Sequence, residues 1–139
     1  MTQFYSAAAT ALGGRSGFAS SSDGRLKVEL STPSALGGDD GPGTNPEQLF
    51  AAAQAASLLA AIRKVARAKG MDVPADSNVT ATIALDGDSD DALILSVALA
   101  ADIPCIDIAT ATQIVEEAMR ICPIARATGD HVSAIVNVD

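Results

Sequence analysis

GTNPEQLFAAAQAASLLAAIRKVARAKG, residues Gly43 to Gly70, decides the fold. Asn45 or Thr44 can cap a helix, and Pro46 suits the first helical position, where no N–H is needed. Glu47 puts a carboxylate in the first turn, where the helix dipole favours it. Arg63, Lys64, Arg67 and Lys69 gather toward the other end, and Gly70 can stop the helix. A helix from Pro46 to Lys69 would run about 36 Å at 1.5 Å per residue. From Gln48 to Ile62 there is no charge on any face, which predicts a helix buried all round. That uncharged part is shorter than the ~20 residues of a bilayer span, so the stretch reads as a core helix and not a membrane one.

The 139 residues predict one domain, 1–139, with a proper hydrophobic core. A net charge of −8 and a pI of about 4.4 argue against nucleic acid or an anionic membrane surface as partner. The N-terminus shows no charged-then-apolar leader, so a cytoplasmic location is expected. Aromatics are scarce and alanine abundant, which predicts close helix contacts rather than a core of large rings. Cys105 and Cys122 flank a helix predicted from about Asp107 to Ile121. The ends of such a helix lie ~25 Å apart, whereas a disulfide needs Cα atoms within ~7 Å. The two should therefore not pair within one chain.

Outward from the central helix, residues 3–11 read as a first strand and Leu12 to Gly17 as a turn. Phe18 to Ser22 follows as a second strand and Asp23-Gly24 as a hairpin turn. Leu26, Val28 and Leu30 alternate with Lys27, Glu29 and Ser31, predicting a third strand with one wet face. Val79, Ala81, Ile83 and Leu85 alternate with Thr80 and Thr82 as a fourth. Ala92 to Ala100 is strongly apolar, a fifth strand expected to be buried on both faces or nearly so. Ala111, Ile114, Val115, Ala118, Met119 and Cys122 share one helical face, capped by Asp107 or through the Thr110–Gln113 spacing, and Pro123 ends that helix. Val132 to Val138 alternates as the last strand. The order β-β-β-α-β-β-α-β predicts an α+β sheet with its helices on one side.

Most motifs have a plain structural reading. The loop Gly37 to Gly43 precedes a helix as phosphate loops do, but it lacks Gly-Lys-Ser/Thr, and Asp39 and Asp40 would repel a phosphate. The run Asp86 to Asp91 starts like a calcium loop, yet position 12 is Val97 where a bidentate Glu is required, so a solvated hairpin turn is the better reading. His131 is the only histidine, with no Cys/His cluster and no Gly-x-Ser-x-Gly to suggest a metal site or a serine nucleophile. By itself Cys122 reads as a buried structural cysteine. Arg15, in a glycine turn, reads as an ordinary surface residue.

Three segments taken together resemble the organic hydroperoxide resistance proteins of the OsmC/Ohr family. They are Gly13-Gly14-Arg15; Leu36-Gly37-Gly38 through Gly43-Thr44-Asn45-Pro46-Glu47-Gln48-Leu49-Phe50-Ala51-Ala52; and Ile121-Cys122-Pro123 with Ala127-Thr128. The resemblance spans essentially the whole chain. It implies an intertwined homodimer and a thiol peroxidase of oxidative-stress defence that reduces organic hydroperoxides to alcohols, with no bound cofactor or metal. A peroxidatic cysteine becomes a sulfenic acid, a second cysteine closes a disulfide, and a lipoylated protein or other dithiol reduces it. Residue by residue, Arg15 matches the arginine that favours the thiolate, Glu47 the glutamate that holds it, and Cys122 the resolving cysteine.

At the peroxidatic position this chain departs from the pattern and has Ser57. A hydroxyl is a far weaker nucleophile than a thiolate near neutral pH and forms no sulfenic acid, so the chain as written is expected to be impaired or inactive. An introduced Cys→Ser exchange would account for this, favoured by the retention of Arg15, Glu47 and Cys122. So would a natural non-catalytic member that binds a lipid-like ligand in an interface pocket. Glu47 and Ser57 lie ten residues apart on one predicted helix, roughly 15 Å along its axis. If both serve one site, Glu47 should come from a second copy, its helix crossing antiparallel near Ala51–Ala53.

Overall fold

The computed structural model describes residues 1–137, so Val138 of the last predicted strand lies outside the described residues. The chain folds as a first compact unit, Met1–Leu49, and a second that begins at Phe50.

In the first unit, strands β1 (Ala9–Leu12), β2 (Phe18–Ser21) and β3 (Lys27–Glu29) form an antiparallel sheet in that order. The predicted first strand over 3–11 shortens to Ala9–Leu12. Its partner is only four residues long, pairing Leu12 with Phe18 and Ala9 with Ser21, so nothing remains to ladder against the residues before Ala8. Phe4 and Tyr5 stand 98% and 82% exposed. The turn at Asp23-Gly24 forms as predicted, with the Asp23 carboxylate accepting from the Ser21 hydroxyl and the Arg25 amide. The glycine-rich loop folds back on the sheet: the Thr44 amide donates to the Glu29 carbonyl, the Ser31 amide to the Thr44 carbonyl, and the Gly43 amide to the Ser31 hydroxyl. It is a shaped loop leading into a helix.

That helix, α1, runs Pro46–Ala68. Asn45 is its cap, its side chain accepting from the Gln48 amide at 2.8 Å. By length and composition α1 passes the test for a membrane span, yet Leu58, Ala61, Ile62, Val65 and Ala66 are packed into the chain's own core. Within the single chain burial is not all round: Ala52, Ala53, Ala56 and Ala60 are exposed. The absence of charge does not decide which face is covered, because alanine costs little to leave in water. Burial follows instead the one stripe that carries large side chains.

In the second unit, β4 (Asn78–Asp86) pairs antiparallel with β5 (Ile94–Asp102), and β5 pairs in parallel with β6 (Val132–Asn137). The Asp86–Asp91 run joins β4 to β5. A parallel pair needs a crossover, which α2 (Ile108–Ile121) and a short α3 (Pro123–Thr128) supply. The Asp107 side chain caps α2 by accepting from the Thr110 amide. Strand β5 is not buried on both faces as expected. Val97, Leu99 and Ala101 are buried while Ala98 is exposed, so its outward positions are merely small, not covered. The core joins α1, α2 and the sheet through Leu58, Ile62, Leu99 and Ile114, all nearly or fully buried. Each such side chain contributes about 1.5–3 kcal/mol.

The α+β class and the strand-helix order agree with the sequence-based expectation. The single sheet does not: there are two three-stranded sheets, β1-β2-β3 and β4-β5-β6. Alternation reports the faces of a strand and says nothing about its neighbour, so sheet membership was not legible from it.

Candidate active site

Arg15 sits in a single 3-10 turn, Gly14–Ser16, between β1 and β2. From there its guanidinium reaches Glu47 in the first turn of α1, donating through both terminal nitrogens at 2.8 and 2.5 Å. This is a two-pronged arginine–carboxylate pair, the geometry that holds a guanidinium in one orientation. Chiefly because it accepts this hydrogen bond, the Glu47 carboxyl is held below its ordinary range, and Arg15 is correspondingly raised. The two residues, 32 positions apart, are brought together as predicted.

A group whose folded pKa is depressed contributes stability above its unfolded value and loses that contribution as pH falls through the folded one. Glu47→Gln should therefore destabilise the chain by about 1 kcal/mol at pH 7. The figure is the strength of a charged hydrogen bond discounted for solvent, since the Arg15 side chain is 39% exposed. The gap between parent and variant should close as pH is lowered from the ordinary carboxylate range near 4.5. Thermal unfolding from pH 7 down to pH 3 checks this; a gap that stays constant would mean the pair is not coupled to folding.

The second pair lies within the second unit. Ser57 Oγ is 3.3 Å from Cys122 Sγ, across 65 residues of sequence. Ser57 is half-buried on α1, and Cys122 is 0% exposed. Cys122 closes α2 and opens α3. Its amide donates to the Ala118 carbonyl, and Pro123 occupies the first position of the next helix, where no N–H is needed. The short α3 was not predicted; Pro123 ends one helix and starts another, and the sequence signal for the two is the same. Both cysteines are free, Cys105 exposed and Cys122 buried.

The hydroxyl at position 57 has a thiol beside it, and a neutral thiol is not a general base that would activate it as a nucleophile. Two sulfurs in these places would be close enough for a disulfide after modest rotation of their side chains. His131 is exposed, and among the described residues no three His, Cys, Asp or Glu side chains converge. One residue escaped the sequence reasoning: Gln54, a turn before Ser57, is completely buried. Its signal was a carboxamide at the N-terminal end of an otherwise apolar face.

Comparison with known proteins gives the chain's family. The family described as OsmC-like protein matches residues 37–137. The organic hydroperoxide resistance protein of Xanthomonas axonopodis pv. citri is 37% identical over 134 residues, 96% of this chain and 94% of that protein. The crystal structure of the organic hydroperoxide resistance protein OsmC from Legionella pneumophila superposes with a TM-score of 0.88 at 36% identity, covering 97% of both chains. That of OhrB from Bacillus subtilis gives 0.84 at 32% identity, covering 99% of this chain and all of that one. With whole-length similarity in both sequence and fold, the chain belongs to the OsmC-like family, among the organic hydroperoxide resistance proteins.

Proposed function

We propose that this chain is built as an organic hydroperoxide reductase of the thiol-peroxidase type, with Ser57 at the place of the attacking sulfur. The observation that carries the reading is the 3.3 Å contact between Ser57 and the buried Cys122. With a thiolate at position 57, that sulfur attacks the terminal oxygen of the hydroperoxide. The O–O bond breaks, the alkoxide leaves and takes a proton to become the alcohol, and the sulfur becomes a sulfenic acid. The Cys122 thiol condenses with it, releasing water and forming a disulfide. A lipoyl-type dithiol then reduces the disulfide and is itself oxidised to a cyclic disulfide. Ser57 stops this sequence at its first step. Peroxidase turnover by the Ser57→Cys variant, absent from the chain as written, tests the proposal.

The Arg15–Glu47 pair supplies the cation that favours a thiolate. Ten residues of helix separate Glu47 from Ser57, so we assign the pair to the site of a second copy in a homodimer. The exposed alanines of α1 support this, since small side chains let two helices approach closely. So do Phe4, Tyr5, Leu12 and Phe18, all exposed on the first unit. Sedimentation should show a dimer. Ala56→Glu, which puts a charge on the alanine stripe, should weaken the association roughly 100-fold. A monomeric parent would end the dimer assignment. A cytoplasmic location suits a cycle that needs reduced thiols.

Ser57 itself favours a second reading, a non-catalytic relative that binds a lipid-like ligand. Tight binding of an oxidised fatty acid by the chain as written, together with an inactive but folded Ser57→Cys variant, would favour it.

A further inference from the structure

Gln54 is 0% exposed, and neither its Nε2 nor its Oε1 has a hydrogen-bond partner among the described residues. A carboxamide offers two donors and an acceptor oxygen, and each buried group left unpaired costs about 1–3 kcal/mol. The other buried positions of α1 are Leu58, Ala61, Ile62, Val65 and Ala66. A leucine at 54 would join that stripe without the penalty. Gln54 is three residues before Ser57 on one continuous helix, so the two side chains share a surface with Cβ atoms about 5–6 Å apart. Ser57 in turn touches the buried Cys122. The unpaired amide thus belongs to the same helical turn as the position where the peroxide oxygen would be transferred.

Resting on the reductase reading above, we infer that Gln54 is a substrate-binding residue that recognises the peroxy group of an organic hydroperoxide. Its Nε2 donates to the oxygen that stays with the carbon chain, and its Oε1 accepts the terminal O–H. Bound in this way, the hydroperoxide satisfies both ends of the amide. A hydrocarbon of the same shape satisfies neither, so Gln54 selects for the oxygenated head. The donated hydrogen bond also falls on the atom that gains negative charge when the O–O bond breaks, which positions the leaving group.

The chain as written is suited to the test, because Ser57 leaves the substrate unreduced by the proposed route. Cumene hydroperoxide and cumene are titrated into the parent and into Gln54→Leu, followed by the protein's NMR shifts over short times. The expected result is a roughly tenfold loss of hydroperoxide affinity in the variant, the value of about one neutral hydrogen bond. Cumene affinity should be unchanged, and the melting temperature of the ligand-free variant should be raised. Equal hydroperoxide binding by parent and variant would overturn the inference and leave the reductase reading intact. Failure of the parent to bind hydroperoxide would overturn the inference, and turnover by Ser57→Cys then decides the reductase reading separately. If Gln54→Leu does not fold, Gln54→Met replaces it. Unfolding of both would make Gln54 a structural residue and overturn the inference.

Discussion

Ser57→Cys should raise dithiol-dependent consumption of an organic hydroperoxide by at least about 10³-fold over the chain as written, with dihydrolipoamide as reductant. The size follows from the chemistry: removing a nucleophile from an otherwise complete site commonly costs several orders of magnitude, and restoring it should return them. Cys122 is buried 3.3 Å from the hydroxyl at position 57, and Arg15 is locked in a two-pronged pair with Glu47. One equivalent of peroxide should consume both thiols of the variant's site and lower its mass by the two hydrogens of a disulfide. Adding Cys122→Ser to this variant should abolish recycling by the dithiol and let the first sulfur run on to the sulfinic acid. Equal turnover by the chain as written would move the chemistry to Cys105 or Cys122. A folded but inactive variant would set the reductase reading aside for the ligand-binding one.

Gly17→Ala should destabilise the first unit by about 3 kcal/mol, where Gly14→Ala, three residues away, should cost only about 1 kcal/mol. A Cβ on Gly17 would stand 1.8 Å from the Leu12 carbonyl oxygen, 2.7 Å from its carbon and 2.9 Å from the Gly13 Cα. All three are backbone atoms of the hairpin itself, so the clash cannot be relieved by turning a side chain. Leu12 is paired with Phe18, and the Gly17 carbonyl accepts from the Leu30 amide, which ties the same point to the strand that follows. Gly14 has a left-handed φ of 63° but no atom within 4 Å of its would-be Cβ, so only backbone strain opposes alanine there. The turn carries Arg15. In the Ser57→Cys background Gly17→Ala should therefore also depress peroxidase activity more than Gly14→Ala does. Denaturant unfolding of the two variants side by side gives the comparison, and equal midpoints would show that the close approach is not what holds the turn.

Much is legible in the chain itself. The cap at Asn45, the proline at the first helical position and the acidic first turn marked the start of α1 at the right residue. Alternation located β4, and an apolar run located β5, to within two residues. The three family segments carry Arg15, Glu47 and Cys122, and the resemblance they support points to position 57. These are local signals, written in caps, periods and short motifs, and local physics reads them out.

What only the tertiary structure decided is what touches what. Ser57 meets Cys122 across 65 residues, and Arg15 meets Glu47 across 32. No periodicity records such a distance, because the contact arises from the packing of whole elements. The same limit explains the remaining differences. The absence of charge does not say what covers a helix face, so Ala52, Ala53, Ala56 and Ala60 stand exposed within the single chain where burial all round was expected. Strand neighbours are chosen by long-range pairing, so one expected sheet became two. That Gln54 is buried with no hydrogen-bond partner among the described residues is likewise decided by the packing, because an unpaired polar group is a property of the surroundings and not of the residue.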